Sequence, residues 1–314
     1  MSKTANSLRA FLDTAPSAAL VEVTEAKGST PREKGAWMLV SPERIFGTIG
    51  GGQLEYMAID AARAMLKVGN SPLEEEMPAE RTEGVTSGHS AQGALSPGAM
   101  TRPGGFADTL PSRESVKLDI PLGPEIGQCC GGRVEVAVRP VDATVAAELV
   151  ASAAMSDAAL PQVLVFGGGH VGHALASAFA LLPLNVVVVE TRADALEGMP
   201  VDIDTRLTAM PEEMVREAPA GSAYVVLTHD HALDFLIVAE ALKRCDSGYV
   251  GMIGSKTKKA TFKSWFLKTA GGTEQQFERL VCPIGGEAVK DKRPAVIAAL
   301  AAAEIMTALA TSAA

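Results

Sequence analysis

The pattern of apolar and polar positions changes character near Pro161. Before that residue, apolar runs are separated mostly by turn residues, and the run 54–68 has apolar side chains at helical spacing, which predicts an amphipathic helix. After it, short apolar strands alternate with helices, beginning with 163–166. Such alternation predicts a parallel sheet whose ligands bind at the carboxyl ends of the strands. The predicted fold class is α/β, with a C-terminal Rossmann-type parallel sheet domain preceded by a smaller N-terminal α/β domain.

We predict that the first domain spans residues 1–155 and the second 156–314. In the first domain the pattern predicts helices at 6–14, 54–68 and 142–155, and strands at 19–24, 36–40, 44–49, 115–120 and 133–139. In the second it predicts strands at 163–166, 186–190, 223–228 and 249–253, and helices at 170–182, 212–217 and 232–243, from Lys256, and from Pro294 to the C-terminus. From 69 to 113 the composition shifts to Ser, Pro, Gly and Glu, which predicts a flexible excursion.

Composition narrows the classes of protein. With 314 residues, 47% of them hydrophobic, the chain can bury a core without disulfides or a membrane. Its formal charge is −9 and its pI about 5.2, which gives no basic surface for nucleic acid. The Ala-rich stretch 298–310 is interrupted by Glu304 and is shorter than a membrane span, and the first residues lack a signal-peptide core. We therefore expect a cytoplasmic protein that binds neither nucleic acid nor a membrane.

The glycine-rich stretch Gly167-Gly168-Gly169-His170-Val171-Gly172 is the clearest candidate site. A strand precedes it, a helix follows, and Glu190 ends the next strand, as in dinucleotide-binding folds. Glycines allow close approach to a phosphate, the helix N-terminus supplies N–H donors, and the acid accepts hydrogen bonds from ribose. The alternative is that the glycines only allow close packing of helix on sheet, and a phosphate site need not hold NAD(P).

Two further segments follow strands of the same predicted sheet. His229 and Asp230 come after the strand at 223–228, where the two histidines of His229-Asp230-His231 are candidate metal ligands and the alternative is a turn in which the aspartate caps a helix. Ser255 and Lys256 come after the strand at 249–253. Their order is not that of a Walker motif, and a capping role for the serine is an alternative to ligand binding.

In the first domain, Gly50-Gly51-Gly52-Gln53 lies between a predicted strand and the amphipathic helix. Backbone donors at this helix start are a second candidate anion site, and the alternative is a plain tight turn. Arg32 is a candidate planar clamp for phosphate or carboxylate. No proton donor of the Tyr-x-x-x-Lys type is present, and we predict no catalytic residue.

Cys129 and Cys130 lie between Gly127 and Gly131-Gly132, a bend rich in backbone donors. Such surroundings favour a thiolate that binds a soft metal or accepts sulfur, whereas free cysteines are commonly small buried hydrophobes. Both interpretations, a reactive thiolate and a buried apolar side chain, remain open. We assign Cys245 and Cys282 to packing.

In their order along the chain these motifs resemble the XdhC/CoxI family of xanthine dehydrogenase accessory proteins. The motifs that carry the resemblance are Gly28-Ser29-Thr30-Pro31-Arg32 with Gly35-Ala36, Gly47-Thr48-Ile49-Gly50-Gly51-Gly52 with Glu55, Gly127-Gln128-Cys129-Cys130-Gly131-Gly132, the loop Gly167–Gly172, Thr228-His229-Asp230 with Asp234, Tyr249-Val250-Gly251 through Gly254-Ser255-Lys256, and Pro283-Ile284-Gly285. The chain departs from the family pattern in the length of the excursion at 69–113 and in having Glu190 where aspartate is common.

The resemblance implies a chaperone rather than an enzyme. Such a protein binds molybdenum cofactor as cargo, protects it while a cysteine desulfurase adds the terminal sulfido ligand, and inserts it into the molybdenum subunit of xanthine dehydrogenase or a related molybdenum hydroxylase. It also implies a homodimer or a higher homo-oligomer. Cys130, and secondarily Cys129, are then the expected contacts to molybdenum or sulfur. Two alternatives remain: an NAD(P)-dependent oxidoreductase that uses the Rossmann domain, and an interaction protein whose Rossmann site is vestigial.

Overall fold

The computed structural model describes residues 3–69, 115–123 and 131–312. The chain separates into two compact units. The N-terminal unit is Leu8–Leu149, and the C-terminal unit is Met1–Ser7 together with Val150–Ala314. All but the first residue of the predicted excursion at 69–113 lies outside the described residues.

The N-terminal unit is built on an antiparallel sheet with strand order β3-β2-β1-β5-β4 among the described residues. Helix α2 packs on β1 and β5, because alternate residues of β1, such as Val21 and Val23, face inward and meet Leu54 and Ala58 of the helix. The elements are α1 (Lys3–Thr14), β1 (Ala19–Lys27), β2 (Trp37–Val40), β3 (Ile45–Gly47), α2 (Gly52–Gly69), β4 (Val116–Pro121), β5 (Arg133–Pro140) and α3 (Ala143–Ala158), of which α1 and α3 extend into the other unit.

Strand register brings three connections of this unit to one edge of the sheet. Arg133, which begins β5, pairs with Lys27 at the end of β1 and with Pro121 at the end of β4. Gly47, which ends β3, pairs with Met38 near the start of β2. The segments that follow β1 and β3 and the segment that precedes β5 therefore leave the sheet at the same edge.

The C-terminal unit contains a parallel sheet of six described strands in the order β11-β10-β9-β6-β7-β8. With β6 counted as strand 1, this is the 3-2-1-4-5-6 order of a Rossmann fold. Strands are added on one side of β6 up to β8 and on the other side from β9 onward, so the strand order reverses between β6 and β9. The elements are β6 (Gln162–Phe166), α4 (His170–Phe179), β7 (Asn185–Glu190), β8 (Asp204–Leu207), α5 (Pro211–Glu217), β9 (Ala223–Val226), α6 (His231–Lys243), β10 (Tyr249–Met252), α7 (Lys256–Lys268), α8 (Glu274–Glu278), β11 (Leu280–Val281) and α9 (Pro294–Ser312).

Helices cover both faces of this sheet, so the inner strands are buried on both sides. Helices α4 and α9 pack together on one face, and α6 and α7 lie on the other. Within the described residues, α9 is long and apolar enough by length and composition to cross a membrane. One side of α9 packs in the core, where Ala298, Ala301 and Ile305 are at most 1% exposed, and 28% of its 18-residue apolar window is buried.

The beginning of the chain is part of the C-terminal unit. The amide N–H groups of Thr4 and Ala5, in the first turn of α1, donate to Asp157 Oδ2 at 2.9 and 3.1 Å. Asp157 lies on α3 and is buried. Its carboxylate satisfies two amides that the start of a helix leaves without internal partners.

The predicted fold class is confirmed. The predicted strands and long helices of both halves are found within a few residues of their expected bounds. The pattern missed β8, α8 and β11, and it extended the helix that begins at His170 to residue 182, whereas α4 ends at Phe179. Strand β8 was missed because it is an edge strand that is largely exposed and therefore lacks an apolar run.

Candidate functional site

The glycine loop of the C-terminal unit follows β6, at the point between β6 and β9 where the strand order of the sheet reverses. Gly167 has φ +119°, and a Cβ there would lie 2.7 Å from the carbonyl oxygen of Leu227, just beyond β9. A Cβ on Gly172 would lie 2.1 Å from the carbonyl oxygen of Gly167. These two glycines are therefore required for packing. Gly169 is exposed, and apart from its chain neighbours no atom of the described residues lies within 4 Å of where its Cβ would be.

The carboxylate of Glu190 faces the glycine loop. Its Oε2 accepts from the amide N–H of Gly168 at 2.8 Å, and its Oε1 accepts from the amide and the hydroxyl of Thr191 at 2.7 and 3.1 Å. The amide of Arg192 also donates to Oε1 at 3.2 Å. Burial raises the pKa of this carboxyl, but these hydrogen bonds outweigh it, and the pKa lies below its ordinary value.

A buried ion pair that sequence reasoning missed joins the ends of β9 and β10. Asp234 on α6 is fully buried and Lys258 on α7 is 9% exposed, and the ammonium of Lys258 donates to Asp234 Oδ2. The Lys258 ammonium also donates to the carbonyl oxygen of Ile253 at 3.0 Å. Asp234 Oδ1 accepts from the amide of Thr228 at 3.0 Å and from its hydroxyl at 2.6 Å. The sequence feature that could have revealed this ion pair is Asp234 itself, an acidic residue within the apolar run Leu233–Ala239.

The other predicted residues of this edge lie on its surface. Asp230 caps α6 by accepting from two backbone amides, and Ser255 caps α7 by accepting from the amide of Lys258 at 3.2 Å, so both capping alternatives are confirmed. Lys256 is 84% exposed and pairs with Glu287 at 3.0 Å. The remaining predicted residues that are exposed here are His170 and His229.

In the N-terminal unit, three of the predicted motifs come together at the edge described above. A Cβ on Gly50 would lie 2.6 Å from Pro31, so the glycine turn before α2 packs on the segment that contains Arg32. A Cβ on Gly132 would lie 2.3 Å from the carbonyl oxygen of Ser29. The segment 28–32 therefore packs on the glycine turn through the Pro31 ring and on Gly132 through its own backbone.

One amide of the glycine turn is already occupied by a side chain of the same helix. Glu55 Oε2 accepts from the amide of Gly51 and from the hydroxyl of Thr48, both at 2.7 Å. The Thr48 hydroxyl accepts in turn from the amide of Gly50 at 3.1 Å. Gln53, the last residue of the predicted motif, is exposed. The sequence indicated free donors at this helix start, but the structure shows that Glu55 caps part of it.

A cavity of about 370 Å³ lies beside this turn and is lined by Pro31, Arg32, Glu33, Lys34 and Ala36. Arg32 and Lys34 are exposed and, among the residues that the structure describes, neither is paired with a carboxylate. The cavity therefore offers two cationic side chains next to the glycine turn. A second cavity, of about 350 Å³, opens at the amino ends of β6, β7 and β8, on the edge of the C-terminal sheet opposite the glycine loop. We give it no part in the site because Rossmann ligands bind at the carboxyl ends.

Cys129 and Cys130 lie outside the described residues, so their predicted role stays a prediction. Within the described ranges, no group of three His, Cys, Asp or Glu side chains could hold a metal ion, His229 and His231 included. Cys282 packs partly into the core, and burial raises the pKa of its thiol. Cys245 is exposed, so assigning it to packing was wrong.

Two protein-family models match the chain. Residues 163–305 match the model described as the XdhC Rossmann domain, and residues 12–75 match that of the XdhC and CoxI family. No curated protein matches the sequence. A solved structure from Bacillus halodurans, described as a xanthine dehydrogenase, superposes with a TM-score of 0.69 over 99% of this chain and 96% of that one. At 15% identity, that likeness supports the fold alone.

Proposed function

Because this chain belongs to the XdhC and CoxI family, whose role is in the maturation of xanthine dehydrogenase, we propose that it binds molybdenum cofactor and delivers it to that enzyme. In this proposal the protein holds the cofactor as cargo while a cysteine desulfurase supplies the terminal sulfido ligand. The recipient is the molybdenum subunit of xanthine dehydrogenase or a related hydroxylase. We also propose that the chain acts in the cytoplasm as a homodimer or higher homo-oligomer.

The observation that carries the proposal is the meeting of three family motifs at one edge of the N-terminal sheet. The pterin of the cofactor ends in a phosphate, which requires cations or backbone donors, and its dithiolene-bound metal is soft, which favours a thiolate. Arg32 lies in a segment that packs on the glycine turn at Gly50, and Gly132 packs on Ser29 of the same segment. Cys130, which lies outside the described residues, is two residues before Gly132 in the same family motif.

The glycine loop of the C-terminal unit offers a second phosphate-binding element. Gly169 is exposed with open space where a Cβ would be, and it stands at the N-terminus of α4, where backbone N–H groups lack partners within the helix. A phosphate group can approach the backbone closely there. Gly169 and His170 therefore fit an anionic ligand better than the buried Gly168 does.

Within the bound complex, the residues of this chain bind, orient and shield the cargo and transform no substrate. A Cys130 thiolate near the metal would hold it until transfer, and Arg32 would neutralise the phosphate. The second cofactor proposed from the sequence, NAD(P), has no comparable support, because the acid expected to receive its ribose is turned toward the protein backbone.

The test compares Cys130→Ala with the wild-type full-length chain, and Cys245→Ala is the matched control because that thiol is exposed in the other unit. Each protein is loaded with molybdenum cofactor and passed through a desalting column, and the retained pterin is measured by its fluorescence after oxidation. Activation of apo xanthine dehydrogenase is measured in parallel. Cys130→Ala is expected to lose retention or delivery of the sulfurated cofactor, whereas Cys245→Ala keeps both. Unchanged retention and activation would remove Cys130 from the site.

A further inference from the structure

Groups of the same chain occupy most of the Glu190 carboxylate. A carboxylate offers about four lone-pair sites. On Glu190, Oε1 accepts from the amides of Thr191 and Arg192 and from the Thr191 hydroxyl, and Oε2 accepts from the amide of Gly168, at 2.7 to 3.2 Å. The Arg192 guanidinium adds an ion pair at 3.6 Å. The Glu190 side chain is only 5% exposed, so a ribose would have to break existing hydrogen bonds to reach it.

The segment that follows Glu190 covers the same side of the glycine loop. A 3₁₀ turn at Asp194–Leu196 brings the carbonyl oxygen of Ala195 to within 2.4 Å of where a Cβ on Gly168 would lie. The same carbonyl oxygen is 3.1 Å from Nε2 of His173, in the first turn of α4. Gly168 is buried as a result, whereas Gly169 is exposed.

In a Rossmann fold that binds a dinucleotide, the adenosine ribose lies between the glycine loop and the acid at the end of the second strand. Here Glu190 and Ala195 fill that space. We infer that Glu190 is a specificity-determining residue that closes the ribose side of the glycine loop and excludes NAD(P) and ADP-ribose, leaving the Gly169 side for a ligand with a single terminal phosphate. Only the identity of that ligand rests on the proposed function; the exclusion does not.

The Glu190 side chain also carries a negative charge close to the glycine loop. Replacing Glu190 by alanine removes that charge, frees the amides of Gly168, Thr191 and Arg192, and leaves the Arg192 guanidinium without its partner. The variant is therefore a better site for an anionic dinucleotide than the wild type.

The experiment titrates the full-length protein with NADH and NADPH, followed by cofactor fluorescence, and with ADP-ribose by calorimetry. Wild type is expected not to saturate below millimolar concentrations, whereas Glu190→Ala gains at least tenfold in affinity, most for NADPH because of Arg192. Glu190→Gln, which keeps an acceptor oxygen but loses the charge, is expected to gain less. Glu197→Gln is the matched control, an exposed acid in the same segment, and is expected to behave as wild type.

Each contrary outcome overturns the inference. If Glu190 accepted the ribose, wild type would bind the dinucleotides at micromolar concentrations and both Glu190 variants would bind them more weakly. If the alanine variant does not fold, the affinity of wild type alone decides between the two outcomes. Equal weak binding by wild type and both Glu190 variants would show that Glu190 does not set the selectivity. Retention of molybdenum cofactor, measured on the same proteins, tests the proposed function separately. If wild type did not retain the cofactor, the proposed function would be refuted, but the exclusion of NAD(P) by Glu190 would still stand.

Discussion

Replacing Lys258 by methionine tests whether the buried ion pair holds the carboxyl edge of the C-terminal sheet together. The substitution keeps an unbranched side chain as far as the ε position but removes the ammonium, so Asp234, which is fully buried, loses its counter-charge. Removal of one partner of a buried pair costs about 3–5 kcal/mol, because the remaining charge is left uncompensated. Since Thr228 still donates two hydrogen bonds to Asp234, we expect the lower end, about 3 kcal/mol.

The control is Lys256→Met, two residues earlier on the same helix. Lys256 is 84% exposed and its pair with Glu287 lies at the surface, so its loss should cost at most about 1 kcal/mol. The double variant Lys258→Met with Asp234→Asn removes both charges. We expect it to be more stable than the sum of the two single losses predicts, by about 1 kcal/mol or more.

Urea unfolding can be followed in the C-terminal unit alone. The chain has two tryptophans, Trp37 in the N-terminal unit and Trp265 on α7, so a Trp37→Phe background leaves Trp265 as the reporter. A reporter in one unit avoids treating two units as a single transition. A free energy of unfolding for Lys258→Met within about 0.5 kcal/mol of that for Lys256→Met would refute the reasoning, because it would mean that the pair contributes no more than a surface contact.

Two further predictions concern the glycine loop. Gly168→Ala should destabilise the C-terminal unit by about 1–3 kcal/mol, since its Cβ would lie 2.4 Å from the carbonyl oxygen of Ala195, whereas Gly169→Ala, with open space around its Cβ, should change the urea midpoint little; equal midpoints would contradict this. Because the pKa of Glu190 is lowered below its ordinary 4.5, its contribution to stability should be complete above that pH and lost as pH falls through the folded value. The difference in unfolding free energy between wild type and Glu190→Gln should therefore shrink in acid, and a constant difference from pH 7 to pH 3 would contradict this assignment.

The sequence predicted the fold well because its signals are local. Alternating strands and helices, and glycines at the end of the strand 162–166, follow from chain neighbours alone. The missed features depend on partners distant in sequence. The sequence analysis singled out Lys256 and not Lys258, because only the folded sheet brings Asp234, 24 residues earlier, into contact with Lys258.

The candidate sites illustrate the same limit. Sequence motifs identified the glycine turns, but they did not show that Glu55 and Glu190 would accept from amides of those turns. A glycine-rich turn indicates where backbone donors are, whereas the side chains that already use them are known only once the fold brings both together. For that reason Glu190 was expected to face a ribose and instead faces Gly168.

The contact of Thr4 and Ala5 with Asp157 makes the C-terminal unit discontinuous in sequence. Thr4 and Ala5 are synthesised well before Asp157, so this contact can form only after the residues beyond 150 have been made. A fragment designed from the matched range 163–305 would omit Asp157 together with the amides it satisfies. Expression tags and truncations at the N-terminus should therefore be judged by the stability of the far half of the protein.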